Sequence, residues 1–293
     1  MRELAVFEAH GSYVLDLAFT GDGKTLISAG MDNMVRLWTA PDWQPASAFE
    51  GHAHSVNSID LSADGERLVT GSTDQTVRVW SFPDGELLHT LWDRKKTVSS
   101  VQISSDGAWI VAGFYGGWAR VWTRDGKDIV GNKASKKNLS SVAISPDSQT
   151  LATSGLGDDI ALWVLPSGEP MGTLEGHSTA VLSMGFIDCG RILDSLGYEG
   201  TVRFWDTDTW LQARAVGPDQ EGVRGMAFSP DDVLVALSLE SCVQLWSVEE
   251  WELAAELPIS TKVISSMAFS PDGKLLAVGG ADRRIRIWET VSL

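Results

Sequence analysis

Short apolar-rich runs alternate with turn residues along the chain, and one stretch shows the plan. Ser55-Val56-Asn57-Ser58-Ile59-Asp60-Leu61 reads as a strand. Ala63-Asp64-Gly65 then reads as a turn, because glycine tolerates positive φ and aspartate bonds nearby backbone. Glu66 to Gly71 is the next strand, Thr73-Asp74-Gln75 a second turn, and Thr76-Val77-Arg78-Val79-Trp80 a third strand of β-branched and aromatic character. Pro83-Asp84-Gly85 turns the chain into a fourth strand, Glu86 to Leu91. No segment has a convincing helical period.

The unit recurs. Trp38, Trp80, Trp122, Trp163, Trp205, Trp246 and Trp288 are separated by 42, 42, 41, 42, 41 and 42 residues. A period of that length with four short strands per unit predicts propeller blades. The expected fold is therefore all-β, a seven-bladed β-propeller of four-stranded antiparallel blades in a single domain over 1–293. The expected blades cover 9–48, 49–91, 92–131, 132–175, 176–216, 217–257 and 258–293. No fourth strand follows Trp288, whereas Arg2 to Glu8 has the look of one, so residues 1–8 are expected to supply the outer strand of blade seven. That pairing would close the ring and cover edges that otherwise invite aggregation. Two columns of mostly small residues, Asp16, Ser58, Ser100 and their counterparts, and Ala18, Asp60, Gln102 and theirs, suit strands converging on an axis.

These features resemble the WD-repeat (tryptophan–aspartate) β-propeller family over nearly the whole chain. The literal Trp-Asp pair stands once in place, at Trp205-Asp206, and a Gly-His pair leads in at Gly51-His52 and Gly176-His177, with Ala9-His10 as a variant. The resemblance implies hydrogen-bonded tetrads of leading His, strand Ser or Thr, turn acid and Trp. They map to His10, Ser28, Asp32 and Trp38; to His52, Thr70, Asp74 and Trp80; and to His177, Ser195, Glu199 and Trp205. The other four blades lack the histidine. A buried polar network stabilises only when its members are paired.

Charge and composition narrow the function. A net charge of −16 argues against general nucleic-acid binding and against a polybasic membrane anchor. No apolar run reaches membrane-span length, and Met1 to Glu8 lacks the apolar stretch of a signal peptide. Cys189 and Cys242 make no disulfide framework. The chain is expected to be soluble, intracellular, cytoplasmic and monomeric by itself. Gly23-Lys24-Thr25 imitates the end of a phosphate loop, but Ala18 replaces the glycine required upstream and the segment is a strand–strand turn. The five histidines show no metal spacing, so no metal, cofactor or catalytic residue is expected. An enzyme using the central channel would rely mainly on Asp16 and Asp60, and a purely structural assembly module, cut from a longer chain, is a further alternative.

The favoured reading is a non-enzymatic scaffold or adaptor that binds a protein or peptide on one rim, which the resemblance places at the loop into the first strand and the turn between strands two and three. Mapped positions are Tyr13, Leu15 and Met31 in blade one, Asn57 in blade two, Tyr115 in blade three, Leu182 and Tyr198 in blade five, and Arg224 and Leu239 in blade six. Blade four gives Asn138 and Ser140, its third place left open because its turn is taken as one residue short. All three tyrosines of the chain fall in this set, and tyrosine suits binding surfaces through its apolar body and polar tip. Arg94, Lys95, Lys96, Lys133, Lys136 and Lys137 form two neighbouring basic loops, enough to steer an acidic peptide. Trp43, Trp210 and Trp251, each five residues past a marker, are expected to cover apolar surface between blades, the alternative being an exposed aromatic strip.

Overall fold

The chain forms seven four-stranded antiparallel sheets among the described residues, one for each marker tryptophan. The computed structural model describes residues 1–92, 96–157, 159–217, 222–259 and 263–290. The chain divides into two compact units, Met1–Asn57 with Gly222–Leu293, and Ser58–Glu221.

In the first unit, blade one is built from Val14–Phe19, Thr25–Gly30, Val35–Thr39 and Gln44–Phe49, and blade six from Gly225–Phe228, Leu234–Ser238, Cys242–Ser247 and Leu253–Pro258. Blade seven takes Ile264–Phe269, Leu275–Gly280 and Arg284–Glu289 from the C-terminal part of the chain. Its fourth strand is Arg2–Glu8, antiparallel to Arg284–Glu289, with Phe7 opposite Ile285 and Glu3 opposite Trp288. The sequence expectation for this sheet holds. Apolar side chains knit adjacent blades: Leu26, Trp38 and Trp43 pack with Ala277, Ile285 and Ile287, and Val243 and Leu245 pack with Ile264 and Leu276. Phe7 lies 4.8 Å from Trp38, ring to ring.

In the second unit, blades three, four and five run Val98–Ile103 to Asp128–Lys133, Leu139–Ile144 to Glu169–Leu174, and Val181–Ile187 to Gln212–Val216. The strands Arg67–Ser72, Thr76–Ser81 and Leu87–Trp92 of blade two precede them. Val77 and Val79 pack on Val98 and Ile110; Val111 and Val121 on Val142 and Leu151; Ile160 and Leu162 on Val181 and Leu193.

Two irregularities recur. The ladder between third and fourth strands shifts at every marker tryptophan of blades one to six, as between Leu37 and Trp38 or Phe204 and Trp205. The ladder between first and second strands shifts near its start in blades one, three, four, five and seven, as between Val14 and Asp16 or Val181 and Ser183. The skipped residues are Leu15, Ser99, Ser140, Leu182 and Ser265. A bulge leaves its extra residue unpaired and re-aims its side chain.

The turn into the fourth strand holds one residue at positive φ. It is glycine in blades two, three and four (Gly85, Gly126, Gly168) and tryptophan in blades one, five and six (Trp43, Trp210, Trp251, φ 52–57°). A bulky residue is rare there. Packing compensates: Trp43 is buried with its ring 6.1 Å from Phe19, Trp251 stacks on Trp246 at 5.7 Å, and Trp210 packs on the core of blade five.

Candidate functional site

The small-residue columns join blades by hydrogen bonds. Ser58 Oγ accepts from Val101 N–H at 3.1 Å and Asp60 Oδ2 from Ile103 N–H at 2.7 Å. Gln102 Oε1 accepts from Ile144 N–H at 2.6 Å. In the first unit, Asp16 Oδ1 accepts from Leu17 N–H at 2.9 Å and from Ser266 Oγ at 3.1 Å. Asp16 and Asp60, the two acids on which a channel enzyme would depend, thus serve to stitch neighbouring first strands. The Gly23-Lys24-Thr25 segment forms a strand–strand turn, with Gly23 N–H on Thr20 O and Lys24 N–H on Asp22 Oδ1. Among the described residues, no group of three His, Cys, Asp or Glu side chains could hold a metal ion, and no helix is long and apolar enough to cross a membrane.

The tetrads of blades one and five are fully joined. His10 bonds Asp32 through Nδ1 and Ser28 through Nε2, both at 2.8 Å, and Trp38 Nε1–H donates to Ser28 Oγ at 2.9 Å. His177 bonds Glu199 at 2.6 Å and Ser195 at 2.8 Å, with Trp205 Nε1–H on Ser195 Oγ at 2.9 Å. Thr179 Oγ1 occupies the second oxygen of Glu199. In blade two Trp80 Nε1–H donates to Thr70 Oγ1 at 2.9 Å, Asp74 Oδ1 accepts from Thr76, and His52 is buried. Burial lowers the pKa of His10 and His177 below the ordinary histidine value. Burial opposes ionisation of Asp32, but hydrogen bonds from Gly11 N–H, His10 and Arg36 outweigh it and hold the carboxyl below its usual range. Glu199 behaves likewise, with Thr179 and His177 as donors.

The mapped binding residues sort by exposure. Tyr13 (44% exposed), Met31 and Arg224 are exposed in the first unit, where Leu15 and Asn57 are half-buried. Tyr115 (46%) and Tyr198 (49%) are exposed in the second, with Leu182 half-buried. One backbone bond ties each pair of neighbouring places: Met31 N–H to Tyr13 O at 2.8 Å, Tyr115 N–H to Thr97 O at 2.9 Å, and Tyr198 N–H to Ala180 O at 2.8 Å.

Leu239 is a correction. It is 7% exposed and packs inward. Val235 pairs with Trp246 as Ile110 pairs with Trp122, so Leu239, directly after the strand Leu234–Ser238, takes the register place of buried Phe114 and not that of the exposed turn residue. The shortened turn is thus in blade six. Blade four keeps the full length: Leu156 N–H bonds Asn138 O at 2.9 Å, and Leu156, 49% exposed, holds the place left open in the sequence reading.

The basic loops meet blade three's turn. Lys133 Nζ donates to Gly116 O and lies 5.6 Å from the Trp118 ring, the alkyl chain of Lys96 lies beside Gly116, and Asn138 Oδ1 accepts from Gly116 N–H at 2.7 Å. A Cβ at Gly117 would stand 2.0 Å from Ser135 O, so only glycine admits this loop contact. Lys136 and Lys137 are exposed. Arg94 and Lys95 lie outside the described residues.

Comparison with known proteins places the fold in a family. A family model described as IFT122 first beta-propeller matches residues 13–216, and one described as WD domain, G-beta repeat matches 251–289. The chain belongs to the WD-repeat β-propeller family, whose members support a protein-interaction scaffold in general. It is 35% identical over 71 residues to a CCR4-associated factor 4 homolog of Candida glabrata, covering 24% of this chain and 12% of that protein. It is 29% identical over 98 residues to a periodic tryptophan protein 2 homolog of Schizosaccharomyces pombe, covering 33% of this chain and 12% of the relative. It is 28% identical over 114 residues to the meiotic recombination protein rec14 of the same yeast, covering 39% of this chain and 38% of that protein. The matches therefore span only a minor part of these relatives.

Proposed function

We propose that this protein is a non-enzymatic scaffold that binds a protein or peptide through the blade edges carrying the bulged first-strand residues and the turns between second and third strands. In the first unit the anchors are Tyr13, Leu15, Met31 and Arg224, with Asn57 as a polar contact; in the second they are Tyr115, Leu156, Leu182 and Tyr198. The observation that carries this reading is the pairing of an unpaired bulge residue with an exposed large side chain, as in Leu15 with Tyr13 and Met31, or Leu182 with Tyr198. Lys96 and Lys133 beside Tyr115 favour an acidic partner. The two free cysteines suit a reducing, intracellular setting. The test compares the intact chain with a Tyr13→Ala/Tyr115→Ala/Tyr198→Ala variant in affinity capture from native lysate. The variant is expected to keep its melting temperature and lose a specific partner; an unchanged captured set overturns the assignment.

A further inference from the structure

Blade four lacks three side chains that fill the same place in blades one and five. In blade five Ser195 pairs across the ladder with Arg203, and His177 and Glu199 complete the polar group. In blade one the corresponding set is Ser28, Arg36, His10 and Asp32. In blade four the strand hydroxyl and the indole remain, with Trp163 Nε1–H on Thr153 Oγ1 at 3.0 Å. Arginine is replaced by Ala161, which pairs with Thr153, the acid by Gly157, and the histidine by Ser135. A cavity of about 530 Å³ stands there. Thr153, Ala161 and Thr173 are successive register partners and share one face of the sheet behind it. Lys133, at the end of its strand, and Ser135, Lys136 and Lys137 of the loop after it line the cavity, together with Asp159. Among the described residues neither Lys136 nor Lys137 pairs with a carboxylate, and Asp159 is the one carboxylate of the described lining.

We infer that this vacated place in blade four receives a compact oxyanion, a carboxylate or phosphoryl group, carried on a side chain of a bound peptide. The inference rests on the scaffold reading above and gives that peptide an acidic anchor away from the tyrosines. Lys136 and Lys137 supply charge, and the hydroxyls of Ser135 and Thr173 supply directed donors, a combination in which charge-assisted hydrogen bonds are strong. The volume falls within the range of ligand pockets. Asp159 on the same wall disfavours a second negative group, which selects for a single anion.

The test titrates the full chain with inorganic phosphate and with the N-acetyl amides of glutamate, phosphoserine and glutamine at millimolar concentration. The readout is the Trp163 indole N–H and the Thr153 and Ala161 amide resonances. The glutamate or phosphoserine probe, whichever is the natural group, is expected to shift them, and glutamine is not. Ala161→Gln, which installs the residue that blade six carries at this register as Gln244, is expected to cover the floor beside Thr153 and weaken binding at least tenfold. Lys136→Ala/Lys137→Ala, which changes two exposed side chains, is expected to do the same and decides the matter if the first variant fails to fold. Silence at Trp163 with both anionic probes, shifts unaltered in both variants, or a response to phosphate alone, an adventitious ion only, each overturns the inference. The triple tyrosine variant should keep these shifts. Partner capture that needs the tyrosines while the cavity stays silent removes this inference and leaves the scaffold reading standing.

Discussion

The backbone N–H of Ile103 donates to the Asp60 carboxylate across the seam between blades two and three, at 2.7 Å. The acid sits on one first strand and the amide on the next, forty-three positions on. Replacing Asp60 by alanine leaves that amide without its acceptor. A loss of about 1–3 kcal/mol in unfolding free energy is expected, read from the midpoint of a denaturant titration. Asp60→Asn keeps an acceptor oxygen and should recover most of it. An alanine variant as stable as the parent would show that the stitch contributes nothing.

The tetrads carry a pH signature. His10 and His177 are held neutral by burial, with folded pKa values below the ordinary value near 6.5. The unfolded chain therefore binds more protons below that pH, and stability falls as pH drops from 6.5 toward the folded values. Asp32 and Glu199, both depressed, add a further loss at lower pH as they protonate. Melting temperature measured from pH 7.5 to 5 should decline, and a His10→Asn/His177→Asn variant, less stable at neutral pH, should decline less over the upper part of that range.

Ser195 accepts the Trp205 indole proton and bonds His177, so Ser195→Ala strands two buried groups at once. A cost of about 2–4 kcal/mol is expected, more than for Thr153→Ala in blade four, where the Trp163 contact and a long bond to Ala161 O are broken but no buried histidine is stranded. Equal costs, measured by thermal or chemical unfolding, would mean that the histidine adds no coupling.

The tryptophans at positive φ set backbone strain against burial. Trp43→Gly removes strain of about 1–3 kcal/mol but also loses a buried aromatic worth about 3–5 kcal/mol. Net destabilisation is expected, and a smaller one for Trp210→Gly, whose side chain is half-buried. A Trp43→Gly protein more stable than its parent would place the strain above the packing.

Much of this architecture was legible in the chain, because a tryptophan period leaves little freedom for the strands between markers. The pairing of Arg2–Glu8 with Arg284–Glu289 could be read because blade seven visibly lacked a strand. The bulges at Leu15 and Leu182 could not, since an extra residue in a ladder leaves no mark on composition. A gap of 41 instead of 42 says that a residue is missing but not from which loop, and only the register shows that the short turn is in blade six, where it leaves Leu239 buried. The cavity of blade four was hidden for a different reason. It arises from three absences, at Ser135, Gly157 and Ala161, and only the register shows that they coincide.

The pairing of Phe7 with Ile285 also has a temporal side. The ribosome makes the first of these strands long before its partner, and at roughly 5–20 residues per second the wait is on the order of tens of seconds. During that interval the nascent chain carries an unmatched β-edge, a natural substrate for chaperones, and assembly of the seventh blade waits until Arg284–Glu289 has been made.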